Sequence, residues 1–384
     1  MPVAVMPVRS GTVLAAFTGY GLLWGPYLAL LPDIRRATGA DEALLGTALL
    51  IGALAALPAM AWVGRLLDRL GRPVAMSAMA TFAVVAAAPS LAASVPTLIV
   101  TVAMFGFCSG ACNVVVVALA VESEAGTGGR VMNRAHGLFC VGVLVGSLST
   151  GALVAFGVSG RLVALVGSAA VAIGVFALRD ALPSRFGERV HRTRVKVRLD
   201  RTAALLCLLG ALAMMVESGV QQWSAVFLAD VLGAPAGLSA AAPGIFAGAM
   251  ALGRFGGHWL SCRVSERVVL VSAGALSGVG VLILSTGASI PVGLLGTAIV
   301  GGAISLATPT VYALVGSRAA QAERGAAIGM SASLAGVGLL IGPAVVGQLA
   351  SWTDLRSALM SLSLISVLVC LLALRVSAGP RLPT

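Results

Sequence analysis

Apolar positions dominate this chain in long, nearly unbroken runs, and charged residues are confined to the gaps between them. Twelve such runs lie at 11–31, 43–63, 74–93, 97–121, 136–158, 162–178, 202–228, 237–259, 268–285, 291–315, 325–349 and 357–374. Each is close to the roughly 20 residues that a helix needs to cross the hydrocarbon of a bilayer. None alternates with the period of two that marks a half-buried strand. Backbone groups in lipid must be satisfied within a helix or a closed barrel, so the pattern predicts an all-α membrane protein with twelve spans joined by short connections. The first run leads at full length into the second, which predicts a span rather than a cleaved signal peptide.

Composition agrees. The chain is 59% apolar and 10% charged, with a mean hydropathy of +1.02, whereas soluble domains carry roughly 25% charged residues. A soluble enzyme, a disordered tail and a nucleic-acid-binding module are excluded. The net charge of +11 acquires meaning from position. With the N-terminus inside, 21 of the 25 Lys and Arg fall on the cytoplasmic side, and only Arg35, Arg36, Arg161 and Arg356 face the other. By the positive-inside rule both termini are expected in the cytoplasm, in a bacterial inner membrane. One helix more or fewer would spoil that asymmetry. The basic pI is then a signal of topology and of contact with anionic lipid.

The longest polar stretch, 179–201, holds eight Lys and Arg and separates an N-terminal six-helix bundle (1–178) from a C-terminal one (202–384). It is expected to be a cytoplasmic linker on lipid. A weak repeat relates the halves. Spans 2 and 8 are both Gly/Ala-rich and both end in a glycine followed by a basic turn, at Gly64-Arg65 and Gly253-Arg254. Paired six-helix halves are a known transporter architecture.

One short motif goes further. The stretch G-R-L-L-D-R-L-G-R-P at 64–73 falls in the expected cytoplasmic turn between spans 2 and 3. Gly64 allows close approach of helix ends, Gly71 supplies the freedom of a tight turn, and Asp68 sits among arginines. The stretch resembles the signature loop G-x-L-a-D-r-x-G-r-k of the major facilitator superfamily. The resemblance implies that fold of two pseudo-symmetric six-helix bundles, and a cytoplasmic gating role for Gly64, Asp68, Arg69, Gly71 and Arg72. Five further segments, among them F-T-G-Y-G-L-L-W-G-P-Y at 17–27 and E-S-G-V-Q-Q-W at 217–223, look like bacterial members related to the fucose/proton symporter branch. Departures limit the transfer. That branch carries an acid within span 1, whereas the first acid here is Asp33. Gln222-Trp223 and Gly257-His258 stand where related members often have an acid. Proton-handling roles at those positions are not carried over.

Charges at mid-membrane are costly and functional by default. Of 14 acids, 13 lie in loops or at boundaries, and Glu217 in span 7 is the exception. Desolvation favours the neutral form of a carboxyl, which makes Glu217 the candidate proton carrier. A binding acid for a cationic solute and a carboxyl bonded permanently to a neighbouring helix are the alternatives. Gln221 follows one turn later on the same face. Trp223 lies off that face, either at the outer interface or lining a cavity. Spans 1, 4, 7 and 10 line the central path in the resembled fold, which makes Trp24, Tyr27, Asn113, Gln221, Thr308, Thr310 and Tyr312 the candidate solute-binding set. Hydrogen bonding between helices is the alternative for each. Pro26 and Pro309 interrupt two of these spans. His136 and His258 are expected to pack or cap near the cytoplasmic face. Arg254 is expected to reach the headgroups or to pair with an acid across the halves. Six scattered cysteines show no zinc spacing, and no cofactor or metal is implied.

These features predict a secondary transporter that moves a small organic solute by alternating access, as a monomer in lipid driven by protons. No Walker loop is present, and neither H-E-x-x-H nor an embedded aspartate pair supports an enzyme. Efflux by proton antiport is the alternative. The Gly-Pro signature of drug antiporters in span 5 lacks its proline here, while Gly342-Pro343 falls in span 11.

Overall fold

The computed structural model describes residues 8–127, 131–186, 200–261, 263–321 and 323–376, except the side chains of Thr127 and 258–261. The described residues form fourteen α-helices: α1 Ser10–Ala29, α2 Leu31–Thr38, α3 Glu42–Leu70, α4 Arg72–Val85, α5 Val95–Thr127, α6 Met132–Ala155, α7 Gly160–Ala177, α8 Arg201–Asp230, α9 Ala236–Ser261, α10 Glu266–Thr286, α11 Ile290–Ile304, α12 Ala307–Arg318, α13 Arg324–Trp352 and α14 Leu355–Leu374. Eleven spans are long and apolar enough to cross a membrane, with α11 and α12 together forming one of them. The bent pair α1 and α2, which meet at 48°, makes a twelfth when counted as one span.

The interruptions follow from single residues. Proline clashes with the carbonyl four residues before it, and Pro309 lies four residues after Ser305, where α11 ends and α12 has yet to begin. Several acids and serines that looked like boundary residues are helix N-caps: Asp41 accepts from the Leu44 amide at 2.7 Å, Asp200 from Ala203 at 2.7 Å and Asp354 from Ser357 at 3.0 Å. Each satisfies a helix-end donor that lipid could not.

Two compact units divide the chain, one of Met1–His191 with Pro235–Gly244, the other of Arg192–Ala234 with Ile245–Thr384. Most of the expected 179–201 linker lies outside the described residues, as do Arg130, Cys262 and Arg381. The units repeat one packing scheme. In the first, α1 packs on α6, α3 on α5 and α4 on α7; in the second, α8 packs on α13 and α10 on α14. Glycines set the tightest crossings. A Cβ on Gly25 would come within 2.7 Å of the Ser147 nitrogen on α6, and one on Gly342 would strike Ser218 Oγ on α8. Such contacts supply packing between helices where lipid removes the hydrophobic drive.

The 64–73 motif is mostly helix rather than the loop expected of it. Helix α3 runs on to Leu70, Gly71 caps it with φ of 65°, and α4 begins at Arg72. The turn is a single glycine because only glycine adopts that backbone readily.

Candidate functional site

In the first unit the candidate residues gather on one face of α1. Tyr20, Trp24 and Tyr27 follow at helical spacing, and the opposite small-residue face of α1, with Gly21 and Gly25, packs on α6. Facing them on α5 are Phe105, Ser109 and Asn113, again one turn apart. The Ser109 hydroxyl pairs with the Tyr20 hydroxyl at 2.8 Å and accepts from Trp24 Nε1 at 3.1 Å. Tyr27 is buried and stacks on Phe105 with centroids 4.1 Å apart, while Trp24 meets Phe105 edge-on at 5.0 Å. Phe82 of α4 and Phe139 of α6 enclose Tyr20 at 5.4 and 5.2 Å. Trp24 and Tyr20 remain half-buried. Asn113, also half-buried, has no hydrogen-bond partner for its amide among the described residues. Tyr27 is therefore packed, whereas Trp24 and Asn113 keep surface for another group.

The second unit presents the equivalent face of α8. Met214, Glu217 and Gln221 follow at helical spacing, behind them Ala211 and Met215 pack against Gly338 and Gly342 of α13, and from α12 come Thr308 and Tyr312. Thr308 Oγ1 donates to Met214 Sδ at 3.2 Å. The Tyr312 hydroxyl lies within electrostatic reach of Glu217. Gln221 is half-buried and its amide has no partner among the described residues. Thr310, two residues from Thr308, points to the other side of α12, so the structure separates it from this group.

Glu217 itself is 9% exposed. Its carboxylate is approached by Arg254 of α9, with Nη2 at 4.0 Å from Oε1 and both side chains largely buried. At an effective dielectric near 20, unit charges 4 Å apart attract by about 4 kcal/mol. Dehydrating each ion costs several kcal/mol, so the contact compensates two buried charges more than it stabilises the fold. Arg254 is thus drawn to an acid of its own unit.

One other expectation changes. Trp223 is fully buried, and its Nε1 donates to the Pro343 carbonyl at 2.9 Å; it neither sits at an interface nor lines a cavity. Arg72 of the motif turns inward: Nε donates to the Leu182 carbonyl at 3.0 Å and its amide to the Ser184 carbonyl at 3.3 Å. Gly64 is buried about two turns before that junction, and Asp68 and Arg69 are exposed at its rim. His136 meets Phe17 edge-on at 5.1 Å, and the His258 side chain lies outside the described residues. Sequence reasoning missed Tyr20 and Ser109, although Tyr20 precedes Trp24 by one turn and therefore shares its face.

Long apolar helices with capped ends, bearing small polar clusters on the α1 and α8 faces, define a multi-pass membrane transporter. The model of the Major Facilitator Superfamily matches residues 12–319, and again 258–383. The chain belongs to that superfamily, and is a secondary transporter rather than an enzyme. It is 29% identical over 369 residues to an uncharacterized transporter, y4wD, of Sinorhizobium fredii (strain NBRC 101917 / NGR234), covering 94% of this chain and 96% of that one. An uncharacterized MFS-type transporter of Yersinia pestis is 27% identical, over 97% and 95% of the two chains. The fold matches the solved nucleoside transporter NupG with a TM-score of 0.74 at 14% identity, over 96% and 98% of the chains. The E. coli fucose:proton symporter FucP matches with a TM-score of 0.60 at 16% identity, over 96% and 98%.

Proposed function

We propose that this transporter carries one small organic solute across a bacterial inner membrane by alternating access, with Glu217 exchanging the coupling proton. The observation that carries the reading is a buried carboxylate at mid-span of α8, held by the Arg254 guanidinium at 4.0 Å. Beside it lie Gln221 and Tyr312, whose side chains make no hydrogen bond among the described residues. A charge retained at such depth is functional by default. Trp24, Asn113, Gln221, Thr308 and Tyr312 are the side chains assigned to the solute, with Tyr27 behind Trp24 and Thr310 peripheral. The bundles of 1–178 and 202–384 move as the two halves, both chain ends lie in the cytoplasm, and the motif from Gly64 to Arg72 acts as the cytoplasmic latch. The fucose/proton symporter branch is the functional relation we assign.

The test is solute accumulation in proteoliposomes under an imposed pH gradient. Wild-type protein accumulates its solute and Glu217→Gln only equilibrates it; uphill accumulation with unchanged pH dependence in the variant removes the proton role. Tags at the two chain ends, probed in intact cells, should both be shielded.

One observation favours a second reading, export of an amphipathic compound by proton antiport. A groove of about 500 Å³ runs between α1 and α7, lined by Ala15, Leu22, Val171 and Gly174 with Tyr20 and Thr18 as its polar members. The direction of the solute movement driven by the pH gradient separates the two.

A further inference from the structure

We infer that the groove between α1 and α7 holds one acyl chain of an anionic phospholipid, phosphatidylglycerol in the simplest case, whose phosphate is met by Arg9, Arg72 and Arg179. That this lipid belongs to the cytoplasmic leaflet rests on the orientation proposed above; the site itself does not.

The groove suits hydrocarbon. It lies within the first unit, has a volume of about 500 Å³, and takes its walls from α1, α4 and α7. Small residues open it: a Cβ on Gly174 would meet nothing within 4 Å, and Ala15, Gly19 and Ala170 line it too. Thr18 and Tyr20, its polar members, spend their hydroxyls on the protein. Thr18 Oγ1 donates to the Leu14 carbonyl at 2.9 Å, and the Tyr20 hydroxyl pairs with Ser109 Oγ at 2.8 Å. A polar solute would lose its hydration there without recovering hydrogen bonds, whereas an apolar chain loses nothing. Depth points the same way. Along α7 the lining runs from Ala170 to Leu178, about 12 Å of helix. One leaflet supplies about 15 Å, half of the hydrocarbon thickness, so the groove matches a single leaflet's chain.

Charge surrounds its mouth. Each of the three wall helices reaches the same membrane surface with an arginine. Arg9 immediately precedes α1, Arg72 is the first residue of α4, and Arg179 follows Leu178 at the end of α7. Arg72 stands two turns before Met79 of the groove wall, and its Nε bond to the Leu182 carbonyl at 3.0 Å brings the start of α4 to the end of α7. Arg9 and Arg72 form no ion pair among the described residues. Arg179 contacts Asp180 at 3.3 Å with both side chains exposed, a pairing of little worth in water. Guanidinium groups suit phosphate oxygens. Groove and charge adjoin at Leu178 and Arg179, so one molecule with an apolar chain and an anionic head answers both. A phosphatidylcholine brings the same chain and phosphate but its own cation, and so gains less from the arginines.

The experiment is native mass spectrometry of the purified, delipidated full chain in detergent. It is titrated with dioleoyl phosphatidylglycerol, with dioleoyl phosphatidylcholine, and with glycerophosphoglycerol, which is the head without chains. Wild type is compared with Gly174→Leu, Gly167→Leu, and Arg9→Gln combined with Arg179→Gln; Arg72 is left in place because it also holds Leu182. Gly174→Leu fills the groove, whereas Gly167→Leu fills the adjoining groove of about 400 Å³ farther along α7. An added Cβ meets nothing within 4 Å at either position, and melting curves without lipid check that both variants are folded.

Expected is one phosphatidylglycerol retained in preference to phosphatidylcholine by wild type and Gly167→Leu, and lost from Gly174→Leu. Neutralising two arginines should weaken phosphatidylglycerol about 25-fold, about fivefold for each charge near the membrane surface, and leave phosphatidylcholine unchanged. A preference that survives Gly174→Leu, is lost equally in Gly167→Leu, or is untouched by the arginine pair overturns the inference. Retention of glycerophosphoglycerol alone does so too, since it needs no groove. Dimers abolished by Gly174→Leu would give the groove to a second copy of the chain. Tetraphenylphosphonium that displaces the lipid, and is carried by wild type but not by Gly174→Leu, would give it to an exported solute. Should Gly174→Leu unfold, the arginine pair decides. Lipid retention in detergent is independent of orientation, so chain-end tags found outside would move the site to the other leaflet and leave it standing.

Discussion

The Trp223 indole nitrogen donates to the Pro343 carbonyl at 2.9 Å, joining α8 to α13 in a place with no exposed surface. Trp223 stands six residues beyond Glu217, so the joint fixes the rotation of the helix that carries the buried acid. Trp223→Phe keeps the ring and removes the donor, which should cost about 1 kcal/mol. Trp223→Ala also opens a cavity and should cost about 3–5 kcal/mol. Thermal unfolding in detergent, followed with both variants, should rank them in that order; equal losses would mean the hydrogen bond contributes nothing.

The small-residue crossings make a sharper comparison because the control sits on the same helix. A Cβ at Gly338 meets the Ala211 carbonyl and lies 3.0 Å from the Ala211 Cα, whereas one at Gly336 meets nothing within 4 Å. Gly338→Ala should destabilise by about 1–3 kcal/mol, the usual cost of overpacking, and Gly336→Ala should be neutral or slightly stabilising. Folded yield and melting temperature of the pair decide it.

The fold was legible from the sequence because its determinants are local. Run length sets the spans, and Arg35, Arg36, Arg161 and Arg356 stand out as exceptions to a one-sided charge pattern. Glu217 was legible for the same reason, as the one acid far from a boundary. Its partner was not. Arg254 lies on another helix, and hydropathy along a chain carries no record of which face meets which. Trp223 misled for a related reason, since a tryptophan near a span's outer third reads equally as an interface anchor. Only the position of α13 shows its donor occupied. The motif's glycine was readable at Gly71, but the extension of α3 to Leu70 was not, because Arg65 and Arg69 favour helix while, with Asp68, looking like a loop.

The Gly71 junction yields the third test. Its φ of 65° with ψ of −128° lies where a side chain costs of order 1–3 kcal/mol. An added Cβ would also meet the Ser184 carbonyl and lie 3.1 Å from the Arg185 Cα. Gly71→Ala should therefore lower folded yield more than Arg72→Ala, which removes only the bond to Leu182. The reverse order in a parallel expression and melting assay would show that the arginine, and not the turn, holds the junction.

Asp354 supplies a pH test outside the membrane spans. Its carboxylate accepts from the Ser357 hydroxyl at 2.7 Å and from the Ser357 amide at 3.0 Å, and these bonds, the hydroxyl first, hold its pKa below the ordinary aspartate value. A depressed folded pKa means the contribution is complete above the unfolded value, about 3.9, and is lost as pH falls through the folded one. Asp354→Ala should cost about 1 kcal/mol at neutral pH by removing the cap of α14. The difference between wild type and variant should shrink below about pH 4. A gap that stays constant in melts across that range would rule out the carboxylate as its source.

Ser109 and Asn113 lie one turn apart on α5 and should separate stability from solute binding. Ser109 is 3% exposed and serves both Tyr20 and Trp24, so Ser109→Ala strands two partners in a dry place and should cost about 1–3 kcal/mol. The Asn113 side chain makes no hydrogen bond among the described residues, and Asn113→Ala should leave melting within about 0.5 kcal/mol of wild type. If its amide is kept for the solute, the same substitution should weaken half-saturating uptake in proteoliposomes by several-fold, with little change in the amount of folded protein. A melting loss at Asn113 equal to that at Ser109, with uptake unaffected, would assign both residues to packing and remove Asn113 from the solute-binding set.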